Sequence, residues 1–114
     1  MQPKRIALLA REAADEKKAE EPVILDVAKL TSVARFFVIA HGNSDRHVRA
    51  IARHIADTLK KRKITVWHQE GMESGQWVLL DCGAVIVHIL YREIRGFYGL
   101  ERLWGEAPRI KGTG

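Results

Sequence analysis

Cysteine is almost missing from this chain: Cys82 is the only one in 114 residues. A lone thiol cannot close an intrachain disulfide or supply a thiolate pair for a metal, which fits a reducing compartment. Long hydrophobic runs are missing too, and none approaches the roughly 20 residues that span a bilayer. The N-terminus begins basic and has a short apolar patch at 6–10. Arg11 and Glu12 interrupt it before the core of a secretory leader can form, so a cytoplasmic protein with no membrane association is expected.

Paired carboxylates are absent where an enzyme would need them. Magnesium-dependent phosphoryl transfer uses two or three carboxylates on neighbouring strands. No Asp-x-Asp or Asp-x-Glu falls on any strand-like segment, and Asp26 and Asp81 stand alone among apolar neighbours. The five histidines, His41, His47, His54, His68 and His88, include no His-x-x-x-His pair that would set two ligands on one helical face. Neither a metal nor another cofactor is expected. Internal repeats and low-complexity linkers are also lacking.

What remains is an ordinary globular composition, 46% hydrophobic and 29% charged, which bounds the chain to one domain over 1–114. A formal charge of +5 favours polyanions, with the weak, salt-sensitive attraction that basic charge alone provides.

Periodicity predicts the elements. Residues 4–20 read as a helix with an apolar stripe at Ile6, Leu9, Ala10, Ala13 and Ala14, and the N-terminal helical unit is bounded at 1–21, before Pro22. Strands are predicted at 23–27 and 35–41; the second is a continuous apolar run of the kind covered on both faces. Gly42-Asn43-Ser44 is a turn opening a helix over 45–62, with Val48, Ile51, Ala52, Ile55 and Leu59 on one buried face. A third strand is expected at 64–68, joined to the second by a right-handed parallel crossover. Strands at 76–81 and 85–91 follow as antiparallel neighbours through short turns. A short helix near 93–98 and an irregular tail, frayed over 109–114, end the chain. The fold class is α/β, a mixed, five-stranded sheet with helices packed on it.

Along the fourth strand Trp77, Leu79 and Asp81 point to one face, and Val78 and Leu80 to the other. If Val78 and Leu80 pack under the helices, Trp77 and Leu79 make an apolar patch opposite; from alternation alone, a core role for Trp77 is an equal alternative. His88 lies in a strand of Val, Ile and Leu, as a buried, hydrogen-bonded imidazole or as part of a contact surface. Phe97, Leu100 and Trp104 fall at helical spacing, suited to core or dimer packing or to a partner. Cys82 reads as a small filler residue in a tight turn.

An ordered set of motifs runs from Val23 to Pro108: Leu25-Asp26, Phe37-Val38-Ile39-Ala40, Gly42-Asn43-Ser44-Asp45-Arg46, Trp77-Val78-Leu79-Leu80-Asp81, Val87-His88, Phe97-Tyr98 and Leu100-Glu101-Arg102-Leu103-Trp104-Gly105. In these the chain resembles the ribosomal silencing factors, the RsfS or Iojap-like proteins. The resemblance implies an α/β fold related to nucleotidyltransferases but without the catalytic carboxylates. It implies a homodimer when free and a non-enzymatic translational repressor that binds the large ribosomal subunit. The expected partner is ribosomal protein L-fourteen, with peripheral ribosomal RNA contact, and occupying that surface keeps the small subunit from joining. The expected contact residues are Trp77, Leu79, Asp81, His88, Tyr98 and Trp104.

The chain departs from the family pattern at Arg35, Ala84 and Gly99, where the family usually carries acidic residues. Two other classes compete with this reading. A nucleotide-binding or nucleotidyltransferase-type enzyme would use the backbone of Gly42–Asp45 as a phosphate cradle, and a generic basic RNA-binding domain would rely on charge alone.

Overall fold

The computed structural model describes residues 1–99, 102 and 105–110; the side chains of Phe97 and Tyr98 are not among the described parts. The elements in chain order are α1 (Pro3–Glu16), β1 (Glu20–Asp26), β2 (Phe36–Gly42), α2 (Asp45–Lys61), β3 (His68–Glu70), β4 (Trp77–Asp81), β5 (Val85–Tyr91) and α3 (Arg92–Tyr98). One five-stranded sheet has the order β1-β2-β5-β4-β3. Only β2 and β5 run parallel; the other three pairs are antiparallel.

The apolar pattern decides which strand sits centrally. All seven residues of β2 are buried, as are six of seven in β5, so each needs neighbours on both edges and cover on both faces. The three residues of β3 are all exposed, which suits a sheet rim. The crossover from β2 through α2 therefore does not place β3 beside β2, as the strand–helix–strand order suggested. It passes β5 and β4 and delivers β3 to the far edge. The third strand also begins later than the expected 64–68: Ile64 and Val66 are spent packing against the helix-side core, and pairing with β4 starts only where the Trp67 N–H reaches the Asp81 carbonyl at 2.8 Å.

Helices α1 and α2 cover one face. Ser44 caps α2, its Oγ accepting the His47 N–H at 3.0 Å. Val48, Ile51, Ala52, Ile55 and Leu59 are all fully buried, and each large aliphatic among them contributes about 1.5–3 kcal/mol of transfer free energy. Helix α1 presents Ala7, Ala10, Ala13 and Ala14, small enough to let it lie close against α2 and the sheet.

Both helices end in the same way. In α1 the Lys18 N–H bonds to the Asp15 carbonyl and the Ala19 N–H to the Ala14 carbonyl, with Lys18 left-handed at φ 59°. In α2 Lys63 and Ile64 repeat the pattern on Lys60 and Leu59, with Lys63 at φ 61°. These are Schellman closures with lysine where glycine is usual. They end α1 at Glu16, short of the expected 20, and free Glu20-Glu21-Pro22 to join β1 through a bulge.

The opposite face is covered less completely. Leu25, Val27, Ala34, Phe37, Ile39, Ile86, Leu90 and Ala107 form a second cluster, with Trp77, Leu79 and Ile94 half-buried at its margin. The outer edge of β1 is closed by the C-terminal segment: Asp26 N–H donates to the Pro108 carbonyl, and Ile110 N–H to that of Ile24. Arg109 and Ile110 are thus held to the sheet, unlike the frayed tail expected from 109; residues 111–114 lie outside the described ones.

Candidate functional site

Strand β4 sorts its side chains as alternation requires. Val78 and Leu80 are fully buried under the helices, and Trp77, Leu79 and Asp81 emerge half-buried on the other face. Pairing with β5 sets Leu79 opposite His88, Trp77 opposite Leu90 and Asp81 opposite Ile86. Four of the six expected contact residues are therefore brought together. The side chain of Tyr98 and all of Trp104 lie outside the described residues.

Trp77 and His88 form a unit. The indole Nε1–H donates to His88 Nδ1 at 3.1 Å, and the two rings are tilted at 59° with centroids 6.0 Å apart. That bond fixes the tautomer, since Nδ1 must be the acceptor and Nε2 carries the proton. Phe37 meets the imidazole edge-on at 5.1 Å. His88 is only 8% exposed, and burial pushes its pKa down to about 4, so the ring is neutral. It is a hydrogen-bonded core imidazole, and it lies beneath the patch and holds the Trp77 ring above it. Asp81 has a structural task as well: its Oδ1 accepts the Gly83 N–H at 2.8 Å, shaping the turn from β4 to β5. Cys82 in that turn is buried, and desolvation, with Asp81 adding, raises its thiol pKa to about 11, which makes it a poor nucleophile.

The loop that an enzyme would use is internally satisfied. Asn43 N–H donates to His47 Nδ1 at 3.1 Å, His47 N–H to Ser44 Oγ, and Arg46 N–H to Asp45 Oδ1 at 2.8 Å. The amides of Asn43, Arg46 and His47 thus already have acceptors, and Asp45 adds negative charge in the same turn. Its carboxyl is held below the usual range by the Arg46 amide and then by Arg49. His47 completes the closure by donating Nε2–H to the Lys17 carbonyl at 2.8 Å. Among the described residues no three His, Cys, Asp or Glu side chains gather as metal ligands. His41, His54 and His68 instead pair with Glu20, Glu16 and Glu70.

One cluster was not legible in the sequence. Arg95 of α3, 6% exposed, donates from Nη1 to His41 Nδ1 and to the Glu21 carbonyl, each at 2.9 Å. His41 Nε2 in turn reaches Glu20 at 2.9 Å. This chain of contacts fixes α3 to the ends of β1 and β2. Its members are up to 75 residues apart in sequence, and no local pattern announces them.

The departures from the family pattern have places in this frame. The Arg35 N–H donates to the Ala84 carbonyl at 2.7 Å, so these two positions adjoin, and Gly99 closes α3 in a left-handed conformation at φ 56°.

A family model described as ribosomal silencing factor during starvation matches residues 1–113. The ribosomal silencing factor RsfS of Bacillus subtilis (strain 168) is 44% identical over 108 residues, spanning 95% of this chain and 92% of that protein. A crystal structure of a Chromobacterium violaceum protein superposes with a TM-score of 0.90 at 39% identity, covering 92% of this chain and 88% of that one. A mouse protein named mitochondrial assembly of ribosomal large subunit protein 1 is 28% identical over 92 residues, 78% of this chain and 40% of its own length.

Proposed function

The chain belongs to the family of ribosomal silencing factors, and from that premise we propose that it binds the large ribosomal subunit through ribosomal protein L-fourteen and blocks joining of the small subunit. The observation that carries this reading is the half-covered face of β4 and β5, where Trp77 and Leu79 are presented opposite Val78 and Leu80, which are fully buried under the helices. Tryptophan in such a setting is a common binding hot spot, where truncation costs on the order of 2–4 kcal/mol. Asp81 fixes the adjoining turn and His88 the ring. Tyr98 and Trp104 complete the proposed contact set.

Large-subunit specificity is supported by the name of the mouse relative, and family membership supports ribosome association. The mechanism is steric and includes no catalytic step, in keeping with the occupied amides of the Gly42 loop. A cytoplasmic location belongs to the same reading, and no helix among the described residues is long and apolar enough to cross a membrane. So does a homodimer for the free protein. With the β1 edge closed by residues 108–110, β3 is the sheet edge left for joining copies among the described residues.

The test is subunit reassociation followed by light scattering. Preincubating large subunits with the protein should suppress the rise in scattering, and preincubating small subunits should do less. Trp77→Ala should weaken large-subunit binding at least about thirtyfold, the lower end of the hot-spot range. Normal scattering at saturating protein would overturn the proposal.

A further inference from the structure

Behind the capped end of α2 lies a surface that the proposed protein contact does not use. Lys60, Lys61, Arg62 and Lys63 are consecutive and all exposed, and four residues on, Trp67 is 73% exposed. A groove of about 370 Å³ runs between the last turns of α2 and residues 64–66, lined by Lys60, Lys63, Thr65 and Asp57 among others. Trp67 follows directly on Val66, the last of the residues that line it. Its N–H is bonded to Asp81, and its indole lies so near the β4–β5 turn that a Cβ at Gly83 would sit 3.8 Å from Nε1. The exposed Arg35 is bonded through its own N–H to Ala84 in the same turn.

Ordinary structural causes leave much of this unexplained. The helix dipole accounts for cations in the last turn, Lys60 and Lys61, but not for the two that follow. Lys63 occupies a left-handed backbone position at φ 61° where glycine would be more comfortable. Trp67 does not belong to either core cluster. The acidic groups nearby are few: Asp57 lines the groove, Glu70 is paired with His68 at 3.2 Å, and Asp81 is engaged by Gly83. Basic side chains that track a backbone, ending on an open aromatic ring, are what single-stranded nucleic acid requires.

We propose that this surface binds a single-stranded stretch of RNA, its phosphates between Lys60 and Lys63 and one base stacked on Trp67. The proposal rests on the ribosome-binding reading only for the source of that RNA.

The test is fluorescence anisotropy of the full chain with a labelled oligouridylate of about ten nucleotides. Affinity should fall with salt, and Lys60→Ala should reduce the log–log slope by about one. Trp67→Ala should weaken binding about tenfold with the slope unchanged. Lys63→Gly should weaken binding while raising the melting temperature, a pairing that a purely structural lysine would not give. Arg5→Ala, an exposed basic residue on α1, should change affinity less than twofold.

Absence of binding at low salt, or equal effects of Trp67→Ala and Arg5→Ala, would overturn the proposal. So would a Trp67→Ala variant that loses large-subunit affinity but keeps oligonucleotide affinity, because the surface would then meet a protein. If the oligonucleotide results hold while subunit reassociation proceeds normally, the RNA surface stands and the silencing mechanism falls.

Discussion

Burial of His88 should make the protein lose stability as pH falls below about 6.5, before its carboxylates titrate. In the fold the imidazole is buried, its pKa is lowered by desolvation from 6.5 to about 4, and its Nδ1 accepts from Trp77. In the unfolded chain it titrates near its ordinary value. As pH falls below about 6.5 the unfolded state gains a proton that the native state refuses, so stability drops until the folded pKa is reached. Between about pH 7 and about pH 5 the loss works out to about 2 kcal/mol for this one group. Glu20 and Asp45 have lowered carboxyl pKa values, Glu20 mainly through Asn43 and then His41, and their contributions are lost only at more acid pH. Urea unfolding at the two pH values measures the difference, and His88→Gln is the decisive comparison. Glutamine can still accept from the Trp77 indole but does not titrate, so the variant's pH dependence should be flatter by about 2 kcal/mol whatever its absolute stability. Equal losses in both proteins would refute the assignment of a buried, neutral His88.

Two backbone substitutions probe the frame. Gly71 has φ 88°, and a Cβ there would lie 1.9 Å from the Trp77 carbonyl oxygen. Gly71→Ala should therefore destabilise by at least about 2 kcal/mol and weaken large-subunit binding by displacing β4, as chemical unfolding and a pull-down would read. Lys18→Gly removes the side chain from a left-handed position inside the α1 closure and should stabilise by about 0.5–1 kcal/mol, a rise of a few degrees in thermal melting.

Legibility in the sequence followed the range of the physics involved. Strand β5 and the buried face of α2 could be read from periodicity because each is set by burial within one segment. The sorting of Trp77 and Leu79 away from Val78 and Leu80 was legible as alternation, but which set faced the helices required the fold. The register of β3 was not legible, because Ile64 and Val66 look like strand residues and are used as plugs beneath α2. Glu20 and Glu21 read as the end of a helix and became strand, because the closure at Lys18 depends on a left-handed lysine that no propensity favours. The Arg95–His41–Glu20 contacts join distant segments and were beyond any local signal, whereas the Trp77–His88 bond spans 11 residues of neighbouring strands and needed only their register, with His88 in an apolar strand marking one end.

The Trp77–His88 bond also bears on why a steric inhibitor would keep a polar residue in the centre of its sheet. An aliphatic residue at 88 would pack as well or better, and it would leave the indole N–H without this acceptor. With the histidine present, the ring is held by the Nε1–Nδ1 bond from one side, while Phe37 holds the imidazole edge-on from β2. A side chain ordered before binding loses less rotamer entropy on contact, a saving of about 0.5–1.5 kcal/mol for each large side chain. For a protein whose proposed action is only to occupy a surface, affinity is the whole of its activity. Preorganising the central aromatic is then the most direct gain the fold can make, and the cost is a group that destabilises it in acid.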